Sequence, residues 1–193
     1  MNQENGGTSA VVSSSPAERR SRLEALLFEE ELSTYAVLDG ASVPDLLARL
    51  GAGPEEHACL YRGALHADIA ARAPYLVKLR RAGELTRAIL TEGWGAHWGV
   101  FAITATGFEA LRRHFRTFLR VRGPEGQILY FRWYDPRVLR LYLPTCIAAE
   151  IAQVYGPVAR YACEGERADE LHEFSHHRLR VQPAIMPLTA GPS

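Results

Sequence analysis

The chain has 193 residues, 47% of them apolar and 23% charged, enough for one domain with a real core. Lys+Arg and Asp+Glu balance at 22 each, so whole-molecule charge gives no argument for nucleic acid or a membrane surface. Cys59, Cys146 and Cys163 are too scattered for a disulfide framework, and no apolar run approaches the ~20 residues of a membrane span.

Residues 1–14 are serine-rich and low in complexity, with neither the basic start nor the apolar core of a signal peptide. They read as a disordered N-terminus, and the chain as a cytoplasmic protein with reduced thiols. Ser15–Pro16–Ala17–Glu18 is a capping box with proline at the first helical position. It predicts a helix to about Leu32, with Leu23, Leu26 and Leu27 on one face. Tyr35 to Leu38 is apolar on both faces and predicts a central strand, ended by Asp39–Gly40. Asp39 there is either a turn residue or a ligand-facing carboxylate. Ser42 is positioned to cap a short helix bearing Val43, Leu46, Leu47 and Leu50.

Ala58 to Tyr61 and Tyr75 to Leu79 predict two further strands, with a turn of helix between them at His66 to Arg72. Glu84 to Thr91 predicts a helix with Leu85 and Ile89 inward. In Gly93–Trp94–Gly95 the tryptophan either packs back on the core or serves as an exposed partner anchor. Trp98 to Ile103 predicts another central strand. Thr106–Gly107–Phe108–Glu109 reads as a second capping box, opening a helix with Phe108, Leu111 and Phe115 inward and Arg112, Arg113 and Arg116 solvated.

Leu119 and Val121 alternate with Arg120 and Arg122 before Gly123–Pro124–Glu125–Gly126. A three-residue loop, Pro124 to Gly126, sets Arg122 opposite Ile128 and Arg120 opposite Tyr130. A four-residue loop would put Arg120 opposite Leu129, on the apolar face, so the pattern selects the shorter one. The strand is predicted to run from Ile128 to Tyr134. One face then carries Arg120, Arg122, Tyr130, Arg132 and Tyr134, a combination typical of interfaces unless another element covers it. Asp135 is a helix N-cap and Pro136 its first residue. Thr145 is placed to cap a last helix with Ile147, Ile151 and Val154 inward, ended by Gly156–Pro157. Beyond it, Glu166 to Arg178 is predicted as a charged helix, and residues 183–193 as extended or disordered.

The stretch Phe131 to Cys146, FRWYDPRVLRLYLPTC, resembles the signature of a bacterial family first catalogued as a domain of unknown function and associated with type VI secretion. Further pieces match in order: Tyr35–Ala41, Leu60–Gly63, Pro74–Leu79, Gly93–Gly95, Leu111–Val121 and Tyr155–Val158. The resemblance spans roughly residues 34 to 158. It implies an adaptor chaperone that binds a toxic effector and loads it onto the spike protein VgrG, with the PAAR tip as a further contact.

Two chemical alternatives arise from the residues. His172–Glu173–Phe174–Ser175–His176 is formally H-E-x-x-H, which on a helix could hold zinc in a small hydrolase. No third ligand follows it except His177, which would face elsewhere. Arg112 to Arg122 is locally basic, but the balanced total charge does not favour nucleic acid. The reading is therefore α/β: a mixed central sheet with helices on both faces, an antiparallel hairpin toward one side and a short C-terminal helical appendage. Residues 15–158 form the adaptor domain and 159–193 the appendage and tail. The protein is expected to be no enzyme and to need no metal or cofactor. Arg120, Arg122, Tyr130, Arg132 and Tyr134 form the expected contact face, with Trp94 as second anchor. Asp39, Trp133, Asp135, Pro136 and Arg137 are architectural.

Overall fold

The computed structural model describes residues 15–178 and 180–189. The disordered N-terminus expected over residues 1–14 lies outside them, as do residues 190–193 of the expected tail. The chain is α/β; the described residues form seven α-helices, a seven-stranded sheet and a separate two-stranded hairpin. Helix α1 is Pro16–Leu27, opened by the Ser15–Glu18 capping box. It stops earlier than predicted: Thr34 donates its hydroxyl to the Leu27 carbonyl (2.5 Å) and ties the helix end to the first strand.

The sheet is built from β1 (Ser33–Asp39), β2 (His57–Cys59), β3 (Pro74–Lys78) and β4 (Gly99–Thr104). It continues with β7 (Arg160–Glu164), β8 (Glu170–His177) and β9 (Arg180–Pro187), in the order β2-β3-β1-β4-β7-β8-β9. Every ladder among the described residues is antiparallel. The central position of β1 explains why neither of its faces is polar: Tyr35 and Val37 enter one core, Ala36 and Leu38 the other.

Helices α1, α2 (Leu46–Ala52) and α4 (Glu84–Thr91) cover one face. On the other lie α5 (Phe108–Phe115), α6 (Pro136–Tyr142) and α7 (Ala148–Tyr155), joined by a short 3-10 turn, Leu143–Thr145. The small helix α3 (Ala67–Arg72) buries no residue. Three predicted caps differ. Asp45, at positive φ, precedes α2, while Ser42 donates its hydroxyl to Asp39 instead. Gly107 precedes α5, because the Thr106 N–H is engaged by Thr104 Oγ1 (3.0 Å). Ile147 precedes α7, because Thr145 is spent in the 3-10 turn.

Within the segment predicted as a charged helix, Glu166 to Arg178, residues Glu170–His177 are strand and the rest is turn, so the expected helical appendage is a β-hairpin continuing the main sheet. Within β8, Leu171 enters one core and Phe174 the other, an alternation that charged neighbours mask in the sequence. Its partner β9 is an edge strand of the sheet among the described residues. Leu188 N–H bonds the Asp169 carbonyl (2.8 Å), so even-numbered β9 residues face β8. The outward backbone positions are then Val181, Pro183, Ile185 and Pro187. Two of the four lack an N–H, which blunts the edge against pairing with another chain.

Candidate functional site

The hairpin β5 (Arg120–Arg122) and β6 (Ile128–Tyr130) stands apart from the main sheet. Its register is the predicted one: Arg120 opposite Tyr130, Val121 opposite Leu129, Arg122 opposite Ile128. Gly126, at φ +81°, closes the three-residue loop, a conformation that a β-carbon would oppose. Strand β6 is shorter than predicted, because the chain turns inward at Phe131. Trp133 is fully buried, its ring 4.8 Å from Phe115 and 4.9 Å from Phe118. By contrast both faces of the hairpin are exposed: Val121 42%, Leu129 44%, Ile128 62%, Tyr130 62%.

The expected contact face therefore divides. Arg120, Arg122 and Tyr130 are exposed on the hairpin. Tyr134 is buried, and desolvation together with the neighbouring Tyr61 phenol pushes its hydroxyl far above the ordinary tyrosine range. Arg132 turns to the end of β1 and pairs with the buried carboxylate of Asp39. Asp39 Oδ1 also accepts from the Ala41 N–H (3.0 Å), and Oδ2 from Ser42 Oγ (3.1 Å). Asp135 caps α6 by accepting from the Arg137 N–H (3.0 Å), and holds the Arg137 guanidinium at two points (3.0 and 2.7 Å). Burial raises the Asp135 pKa, but the bonds from Arg137 and the charges of Arg137 and Arg132 outweigh it, leaving the carboxyl below its usual range. Asp39, Arg132, Asp135 and Arg137 thus lock the start of α6 against the end of β1. Pro136 occupies the first turn, where no N–H is missed.

Trp94 is core as well, only 7% exposed, stacked on Phe101 with its indole N–H donated to the Ala168 carbonyl (3.0 Å). A β-carbon on Gly93 would fall 2.6 Å from the Trp98 ring. Gly95 and His97 both take positive φ, and their N–H groups converge on the buried carboxylate of Glu164 (2.6 and 3.1 Å). The GWG loop is consequently tied down from within and offers no exposed tryptophan to a partner.

Three residues that sequence reasoning did not place in the site line a cleft beside the hairpin: Tyr61, Arg62 and Arg116. Tyr61 packs on Tyr130, ring centroids 5.1 Å apart. Arg116, expected to be solvated, donates to the carbonyls of Cys59 (2.9 Å), Leu60 (3.1 Å) and Tyr61 (3.0 Å). It pins the β2 end to α5, and the cleft opens between that segment and the hairpin. The available signal was Leu60–Gly63, LYRG, one of the matching pieces.

The H-E-x-x-H segment lies on β8, not on a helix. There His172 and His176 are four residues apart along a strand, about 13 Å, while Glu173 points to the opposite face. That spacing cannot put both imidazoles on one zinc. Glu173 instead pairs with Arg160. Burial pushes the Cys163 thiol up to about 12 and also raises that of Cys146, so neither of these two is an activated nucleophile.

Comparison with protein families gives a match to "Domain of unknown function (DUF4123)" over residues 34–153. The chain belongs to this family. The match spans β1 through most of α7, and so takes in the ion-pair lock, the hairpin and the cleft. No curated protein and no solved structure matches the chain. DUF4123 membership is compatible with the type VI secretion adaptor role that the signature stretch implies. Strands β7, β8 and β9 lie beyond the matched region yet complete the sheet. Among the described residues no helix is long and apolar enough to cross a membrane.

Proposed function

We propose that the protein is an adaptor chaperone of type VI secretion: it holds a cognate effector in the cytoplasm and delivers it to the VgrG spike, with the PAAR tip as a further contact. The observation that carries this reading is DUF4123 membership over residues 34–153, which includes the whole signature stretch. A second feature agrees with it. Arg120, Arg122 and Tyr130 sit on a hairpin exposed on both faces, beside a cleft shaped by Tyr61 and Arg62. Isolated two-stranded hairpins are marginal in water, so such a surface is suited to being covered by a partner.

The work done is differential binding without a chemical step. The adaptor covers effector surface until the spike offers a better-matched site, and release follows from that difference in affinity. The test is secretion in the native bacterium with this gene deleted. One effector should disappear from the culture medium and return on complementation, while effectors served by other routes stay unchanged. Unaltered secretion of every effector would reject the proposal.

A further inference from the structure

We infer that the cleft between the β5–β6 hairpin and the Leu60–Arg62 segment binds an extended acidic segment of the partner polypeptide, one whose carboxylates alternate with apolar side chains. This rests on the adaptor reading for the partner's identity, though not for the chemistry of the cleft.

The cleft has a volume of about 480 Å3, within the range of sites that take a small ligand or short peptide segment rather than a folded domain. Four arginines line it, Arg62, Arg116, Arg120 and Arg122, and no Asp or Glu does. In a chain whose charges cancel overall, this is a local excess of one sign. Among the described residues, Arg62, Arg120 and Arg122 have no carboxylate within ion-pair distance. The exposed arginines of the signature stretch, Arg132 and Arg137, are by contrast spent on Asp39 and Asp135. Arg116 is engaged by the carbonyls of residues 59–61, whereas Arg62, Arg120 and Arg122 present unused guanidinium forks, which match carboxylates at two points each.

Register supports an extended ligand. Arg120 and Arg122 are two apart on one strand, so their side chains emerge on the same face, opposite Tyr130 and Ile128. A partner strand with carboxylates at alternate positions repeats with the same period. The lining also includes apolar side chains: Leu60 and Leu119 are buried, while Val121 and Ile128 are exposed. The Tyr61–Tyr130 pair gives a wall against which apolar side chains can pack. A nucleic acid would also match the arginines, but it would call for a broader basic surface than one cleft.

The test uses the full chain and a fluorescein-labelled peptide in which glutamates alternate with leucine and serine. Its glutamine counterpart and an oligothymidylate of similar length serve as comparisons. Anisotropy should report binding of the acidic peptide, weakening with salt, and roughly tenfold loss in Arg120→Glu/Arg122→Glu. Arg81→Glu, a charge change on an exposed turn elsewhere, should leave it unchanged. No binding by the wild type, equal binding by the double variant, or preference for the oligothymidylate would each overturn the inference. A second arm co-expresses the cognate effector. Equal retention by wild type and double variant removes the cleft from partner binding while the adaptor reading stands. Loss of retention by the wild type, with acidic peptide still bound, rejects the adaptor reading and leaves the cleft chemistry intact.

Discussion

Arg132 and Arg120 look equivalent by sequence, both falling on the expected contact face, yet they should respond differently to mutation. Arg132→Ala removes the cation paired with Asp39, whose side chain is 2% exposed against 46% for Arg132. Breaking a fully buried pair from one side costs about 3–5 kcal/mol, and an exposed pair contributes about 0–1. One buried partner, half-screened by water and still holding the Ala41 N–H and the Ser42 hydroxyl, sets the cost between these limits, at about 2 kcal/mol. For a chain of this size that lowers the melting temperature by about 4–8 °C. Arg120→Ala, fully at the surface, should stay within about 0.5 kcal/mol of wild type. Urea unfolding of both variants, and of Asp39→Asn with and without Arg132→Ala, measures the difference. A coupling of about 1 kcal/mol or more between Asp39 and Arg132 is expected. Strict additivity, or an unchanged melting temperature in Arg132→Ala, would refute the assignment of Arg132 to the architecture.

Three further outcomes are expected. Trp133→Ala, which empties the space between Phe115 and Phe118, should cost about 3–5 kcal/mol in urea unfolding; a loss below about 1 kcal/mol would contradict the packing. Pro183→Val with Pro187→Val restores two outward N–H donors on β9, so sedimentation should shift toward larger species, and an unchanged profile would argue against the edge protection. Asp135 has a folded pKa below its unfolded value of about 3.9. The stability it contributes is therefore present above that value and lost as pH falls through the folded pKa. Asp135→Asn should flatten the acid limb of the stability profile; identical slopes would contradict the effect.

Much of the fold was legible wherever local chemistry and tertiary context agree. The Ser15 box, the doubly apolar β1 and the Asp135–Pro136 helix start each specify their structure within a few residues. The hairpin register followed from alternation plus one glycine, because a slip of one residue would invert both faces. The C-terminal hairpin was not legible. Glu170 to His177 carries charge on every side, and its strand state comes from pairing with β7, over which its own sequence has no control. Within the candidate site, sequence found Arg120, Arg122 and Tyr130 but also assigned Arg132 and Tyr134 to the same surface. Continuing the alternation past Tyr130 assumed a straight strand, whereas burial of Trp133 bends the chain inward and takes its neighbours with it. Trp94 was ambiguous because a Gly–Trp–Gly step permits both an exposed and an internal ring. The distant Glu164, which the local sequence does not reveal, holds the loop that carries it.

The central claim is that this chain bridges an effector and a spike, and the most direct measurement is reconstitution. The purified protein, its cognate effector and VgrG are mixed in pairs and together, and separated by size-exclusion chromatography with light scattering. The account predicts a stable complex of this protein with the effector, and a three-component species once VgrG is added. Binding of neither the effector nor VgrG by the folded protein would contradict it.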